Sequence, residues 1–158
     1  MQWKALWEKY KPYVWQVLLA LAVGGLSALI SGNMDVYSTL VRPPLSPPGW
    51  LFPVAWTILY VLMGVAAGMV WKRDTPERKP ALFIYYIQLA MNFLWSPLFF
   101  RLGWLTVAAV WLGLMILAIY VTYCRFRAIR PVSGYLLLPY LVWCLFAFYL
   151  NIGFVVLN

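Results

Sequence analysis

The chain has 158 residues, 65% hydrophobic and 10% charged, with a mean hydropathy of +0.82 and a formal charge of +8. A soluble domain carries ~25% charged residues, so this composition belongs to a membrane protein of one domain, residues 1–158. Histidine is absent, which excludes His-ligated metal or haem, a His general base and a His pH switch.

Residues 1–12 are short, basic and aromatic, with Trp3, Lys4, Trp7, Lys9 and Lys11, and read as an interfacial segment. Residues 13–31 form an uncharged run long enough to cross a hydrocarbon core of ~30 Å. The run exceeds the ~7–15 residues of a signal-peptide core, and S-A-L-I-S-G-N lacks an A-x-A cleavage site, so it reads as an uncleaved first span.

Asp35 to Trp56 breaks the apolar pattern and holds five of the eleven prolines. Proline fixes φ and holds its neighbours extended, and a long connection among short ones is commonly a lid or binding loop. This stretch, with Arg42, Pro43, Pro44, Pro48 and Trp50, therefore reads as an ordered cap over the outer end of the bundle.

Further spans follow at 50–71, with Pro53 in a first turn, at 81–100, at 104–123 and at 132–156, where Pro139 predicts a kink. Lys72–Pro80 is a charged turn, Arg101-Leu102-Gly103 a tight one, and Cys124–Pro131 a basic one. Cys124 and Cys144 form no C-x-x-C pair and sit at different depths, so no bridge within a subunit is expected. The fold class is an all-α integral membrane bundle of five transmembrane helices.

Charge tests that count. Alternate ends group Lys4, Lys9, Lys11, Lys72, Arg73, Arg78, Lys79, Arg125, Arg127 and Arg130 on one side, leaving Arg42 and Arg101 on the other, ten against two. By the positive-inside rule the N-terminus is cytoplasmic and the Pro-rich cap external. The net charge is thereby topology, and no nucleic-acid partner is implied; the lipid bilayer is the expected surrounding.

Helical spacing turns particular residues inward. Gln88, Asn92 and Trp95 share a face of the third span, Trp56, Tyr60 and Met63 one of the second, and Trp143, Phe146, Ala147 and Leu150 one of the fifth, with Asn151 adjacent. Asn92 and Asn151 fit either interhelical bonding or ligand contact. Trp56, Trp95 and Trp143 fit either packing or the stacking of a flat aromatic ligand, since an inward indole N–H needs a partner. Gly64 and Gly68 form G-x-x-x-G, and Gly24 with Ala28 a weaker version, which permits close helix approach inside the bundle or between subunits. No acid or base lies in the middle of a span, so neither an ion-coupled transporter nor a hydrolase is supported.

Four motifs carry a resemblance: Y-x-x-L-x-R-P-P-x-x-P-P-G-W from Tyr37 to Trp50, F-P-x-A-W-T-x-L-Y from Phe52, Q-L-x-x-N-x-x-W-S-P-L-F-F from Gln88, and L-P-Y-L-x-W-x-x-F-A-x-x-L-N from Leu138. The chain resembles the TspO/MBR family, the tryptophan-rich sensory proteins related to the mitochondrial translocator protein or peripheral benzodiazepine receptor. The resemblance implies a five-helix bundle, commonly a homodimer, whose first extramembrane loop closes a pocket for porphyrins, notably protoporphyrin IX, and for benzodiazepine-type ligands. It implies ligand contacts at Tyr37, Pro47, Trp56, Asn92, Trp143 and Ala147, which Trp95 and Phe146 join by helical face. Val36 departs from the family's usual tryptophan, and no Lys or Arg follows Tyr149, so the sterol motif of animal members is absent.

The resulting expectation is a receptor or sensor in a bacterial cytoplasmic membrane, binding porphyrin as ligand with no cofactor and no metal site. One alternative is a light-dependent, porphyrin-degrading enzyme in which Trp56 and Trp143 would be the catalytic residues. Another is a passive carrier or a regulator acting through a partner protein.

Overall fold

The computed structural model describes residues 2–32 and 35–158, so Asn33 of S-A-L-I-S-G-N lies outside the described residues. The elements are α1 (Gln2–Ser31), α2 (Asp35–Thr39), α3 (Leu51–Trp71), α4 (Arg78–Ser96), a π-helical turn (Pro97–Arg101), α5 (Leu105–Ile129), α6 (Pro131–Tyr135) and α7 (Leu138–Leu157). Among the described residues, five segments are long and apolar enough to cross a membrane: Gln2–Ser31, Leu51–Trp71, Arg78–Arg101, Leu105–Ile129 and Pro131–Leu157. Helix is what hydrocarbon dictates, because each backbone polar group must find its partner within the segment. The outward faces carry Leu26, Leu29, Ile58, Leu114, Leu117, Val142 and Leu145, all exposed, as suits an integral membrane protein.

Several boundaries differ from the sequence reading, and Arg78, Lys79 and Pro80 of the charged turn already belong to α4. Residues 2–12 belong to the same helix as the first span: α1 runs unbroken through Pro12. A helix need not end where hydrocarbon ends, since water can take up a carbonyl that proline frees, and Lys72 Nζ ties the adjoining turn down by donating to the Lys9 carbonyl at 3.0 Å. Next, α5 continues through Cys124, Arg125 and Arg127 to Ile129, with Arg127 in its last turn, where a cation complements the helix dipole. Finally, Pro139 makes no kink inside a helix. The chain breaks at Leu136–Leu137, and Pro139 sits in the first turn of α7, where its missing N–H costs nothing.

The helices close a ring. α1 packs on α3 and α4, α4 on α5, α5 on α7, and α3 meets α6 and α7. The G-x-x-x-G question is settled inside the subunit: a Cβ at Gly64 would lie 2.4 Å from Val17 Cα, and one at Gly68 would lie 2.9 Å from Tyr13 Cα. These glycines let α3 touch the α1 backbone. At the same end the Lys72 ammonium lies 5.6 Å from the centroid of the Tyr13 ring. At the other end Arg101 donates to the Ile30 carbonyl at 2.9 Å, and Gly103 takes φ +62° to turn the chain into α5.

Candidate ligand site

The Pro-rich stretch is an ordered lid. It begins with α2, whose Tyr37 is buried beneath the loop and donates its hydroxyl to the Pro47 carbonyl at 2.7 Å. Pro43-Pro44-Leu45-Ser46 forms a tight turn closed by Ser46 N–H to the Pro43 carbonyl at 3.3 Å. Leu45, third in that turn, takes φ +66°, a left-handed conformation that type II geometry demands and that disfavours a branched side chain. The Arg42 guanidinium stands 4.9 Å from the centroid of the Tyr37 ring. Burial raises the Tyr37 phenol above its ordinary value, and the Arg42 charge opposes that rise.

The lid is strapped to the outer half of α7. Tyr149 donates to the Pro44 carbonyl at 3.0 Å, and Gly153 receives Pro43 so closely that a Cβ there would lie 2.5 Å from the proline Cβ. Asn158 pairs with the Val41 backbone in both directions, accepting from its N–H at 2.9 Å and donating to its carbonyl at 3.1 Å.

Beneath the lid lies an aromatic shell. Tyr37 meets Phe52 edge-on at 5.3 Å and Phe154 at 5.5 Å. Phe52 meets Trp143 at 6.0 Å and Phe100 at 6.2 Å, and Trp95 stacks on Phe99 at 5.7 Å. Trp56 stacks on Tyr60 at 5.6 Å and stands 6.2 Å from Trp95. Ring centroids 4.5–7 Å apart are in direct contact, so Trp56 and Trp95 touch each other with no third ring between them. The void under the lid measures only about 10 Å³ and is lined by Tyr37, Phe52, Trp95, Phe99, Ala147, Leu150, Asn151 and Phe154.

One level deeper, a polar chain ties three spans together. Tyr60 Oη donates to Asn92 Oδ1, Asn92 Nδ2 donates to Tyr140 Oη, and Tyr140 Oη donates to Gln88 Oε1, each at 2.7 Å. Trp95 Nε1 donates to Asn151 Oδ1 at 3.3 Å, and Asn151 Nδ2 donates to the Leu105 carbonyl at 2.9 Å. Both asparagines thus bond across helices. Trp143 differs: its buried Nε1 has no partner among the described residues.

Of the residues singled out by sequence, Tyr37, Trp95 and Ala147 converge on the void, and Pro47 accepts the lid bond. Trp143 and Phe146 touch each other at 5.8 Å beside Phe52. Trp56 lines a second cavity, and Asn92 lines neither. In the lid Pro43 is buried, while Arg42, Pro44 and Pro48 are exposed and Trp50 is 67% exposed. Tyr149, Gly153 and Asn158 escaped the sequence reading. Tyr149 and Gly153 stand one helical turn apart, and that spacing was their only signal.

These features define a class: a five-span helical membrane protein with a proline-stiffened lid over a tryptophan-rich shell. The chain belongs to the TspO/MBR family, whose sequence description matches residues 16–157. It is 38% identical over 146 residues to tryptophan-rich protein TspO of Chlorobaculum tepidum, covering 89% of this chain and 91% of that one. The tryptophan-rich sensory protein of Cereibacter sphaeroides is 38% identical over 122 residues, covering 77% of this chain and 76% of its own. The translocator protein of Ovis aries is 38% identical over 121 residues, covering 73% and 70% respectively.

Proposed function

We propose that the protein is a membrane receptor for a flat, apolar tetrapyrrole such as protoporphyrin IX, held in the aromatic shell beneath the lid. The observation that carries this reading is the Trp143 indole, a buried donor left without a partner in a shell whose Trp95 donor is matched. A buried unpaired donor is costly, and a ligand acceptor beside it would remove that cost. Without histidine in the chain, the ring would be held by stacking and apolar burial with no His axial ligand, which favours the metal-free form. Pockets for small molecules measure roughly 300–1,000 Å³, so the void of about 10 Å³ is a closed state that ligand binding must open. Family membership supports the reading, and with it go, as parts of the same proposal, benzodiazepine-type ligands, a homodimer and a bacterial cytoplasmic membrane with the N-terminus inside.

The test is tryptophan fluorescence quenching by protoporphyrin IX. Trp143→Phe, which keeps the ring and loses the donor, should weaken binding, and Trp143→Ala should weaken it further. Unchanged affinity in both would remove the site from this shell.

A second reading, light-dependent porphyrin breakdown with dissolved dioxygen as the oxidant, is favoured by the direct contact of Trp56 with Trp95 and Tyr60, because adjoining electron-rich rings can share the charge left when one of them gives an electron to the excited porphyrin. Illumination with protoporphyrin should then yield a new absorbance band that Trp56→Phe abolishes.

A further inference from the structure

A bay of about 350 Å³ lies against the shell in the side of the bundle, separate from the void under the lid. It opens between α1 and α3. Its mouth is formed by Gly25, Ala28, Pro53 and Thr57, all exposed, and its floor by Gly24, Phe52, Tyr60 and Phe100, all buried. On α1 its lining runs from Leu21 to Ser31, which at 1.5 Å per residue is about 15 Å. That is half of a hydrocarbon core of ~30 Å, so the mouth faces lipid along the outer half of the spans.

Two observations give the bay a use. First, α1 and α3 are zipped at their inner ends by Gly64 and Gly68, and Gly24 is pressed so tightly that a Cβ would fall 2.1 Å from the Tyr60 ring. Gly25 is the opposite case. A Cβ there would meet nothing within 4 Å, and its backbone is helical. Neither close packing nor a special dihedral requires glycine at that position, and glycine is a poor helix former; what it preserves is open space at the mouth. Second, Phe52 lines both the bay and the void under the lid, so one aromatic ring separates them. The hydroxyls at the rim are engaged within their own helices, Ser31 with the Ser27 carbonyl and Thr57 with the Pro53 carbonyl, each at 2.7 Å. The bay therefore offers mostly apolar walls, with the half-buried Ser96 hydroxyl among them.

We propose that the bay is a lateral doorway through which an apolar ligand passes between the bilayer and the shell, with Gly25 keeping the mouth open and Phe52 acting as the inner partition. Access is then from lipid, while the lid, strapped by Tyr149 and Asn158, stays docked on the aqueous side. This inference rests on the receptor reading above.

Its test separates rate from affinity in the intact protein. In phosphatidylcholine vesicles carrying protoporphyrin IX, quenching transients give association and dissociation rates, and equilibrium titration gives Kd. Gly25→Phe should slow both rates about tenfold and leave Kd unchanged, because a plug at the mouth raises the barrier in both directions. Phe52→Ala should speed dissociation. Asn158→Ala, which loosens the lid strap, should leave both rates unchanged. Gly25→Leu is the smaller plug should Gly25→Phe fail to fold. Unaltered rates in a folded plugged variant, or faster exchange in Asn158→Ala, would overturn the doorway while leaving the receptor reading intact. Absence of quenching by the unmutated protein would instead overturn the receptor reading itself.

Discussion

The Tyr37 hydroxyl donates a 2.7 Å hydrogen bond to the Pro47 carbonyl, locking the two ends of the lid together across ten residues. Tyr37→Phe removes the donor and keeps the ring contacts with Phe52 and Phe154. The lid should lose about 1 kcal/mol of closure, read as faster amide hydrogen exchange around residues 40–50. A loop that exchanges no faster would show the bond to be incidental.

The same phenol sets a pH limit. Burial raises its pKa, so the folded lid favours the neutral hydroxyl. The contribution is fully present below the unfolded value of about 10 and is lost as pH rises through the raised folded value. The lid should accordingly hold its bond throughout the neutral range and loosen only in strong alkali. The phenolate absorbance difference between the unmutated protein and Tyr37→Phe should appear above pH ~10; a step below that would contradict the burial argument.

Leu45 is strained where glycine would not be. With φ +66° and 80% exposure, its side chain contributes little packing to offset the left-handed backbone. Leu45→Gly should therefore stabilise the closed turn by about 1 kcal/mol, less the extra entropy that glycine loses on ordering. A rise in thermal midpoint in detergent, with slower exchange at Ser46, would bear this out, and a clear fall would refute it.

Asn92 is a structural keystone in this conformation. Asn92→Leu strands both the Tyr60 donor and the Tyr140 acceptor. Bonds between membrane helices average only ~0.6 kcal/mol, but leaving buried polar groups unpaired costs about 1–3 kcal/mol. The second effect wins, so Asn92→Leu should lower the thermal midpoint more than Tyr60→Phe, which strands a single acceptor. Equal midpoints would show that the network relaxes freely.

The spans and their inward faces were readable because both rest on periodicity and hydropathy, which a bilayer enforces. Trp56, Trp95 and Ala147 faced the interior as their helical spacing required. Pro139 was misread because proline's effect depends on which turn of a helix it occupies, and the apolar run does not mark where helices begin. The lid straps were hidden for another reason. Tyr149 and Gly153 lie on an apolar helix, where a face turned to the lid has the same composition as a face turned to lipid. Asn92 was legible as an inward amide, but its partners Tyr60 and Tyr140 come from other helices, and spacing along one helix cannot supply them.

Adjacent glycines on α1 should behave in opposite ways. Gly24→Ala places a methyl 2.1 Å from the Tyr60 ring, which cannot withdraw without breaking its bond to Asn92. Overpacking of this kind costs roughly 1–3 kcal/mol, and the polar chain loosens with it. Gly25→Ala meets open space and gains up to about 1 kcal/mol from better helix propensity. Thermal midpoints in the same detergent should therefore fall for Gly24→Ala and hold or rise for Gly25→Ala. If both fell alike, the second glycine would have a packing role, and the open mouth between α1 and α3 would have to be closed in the membrane.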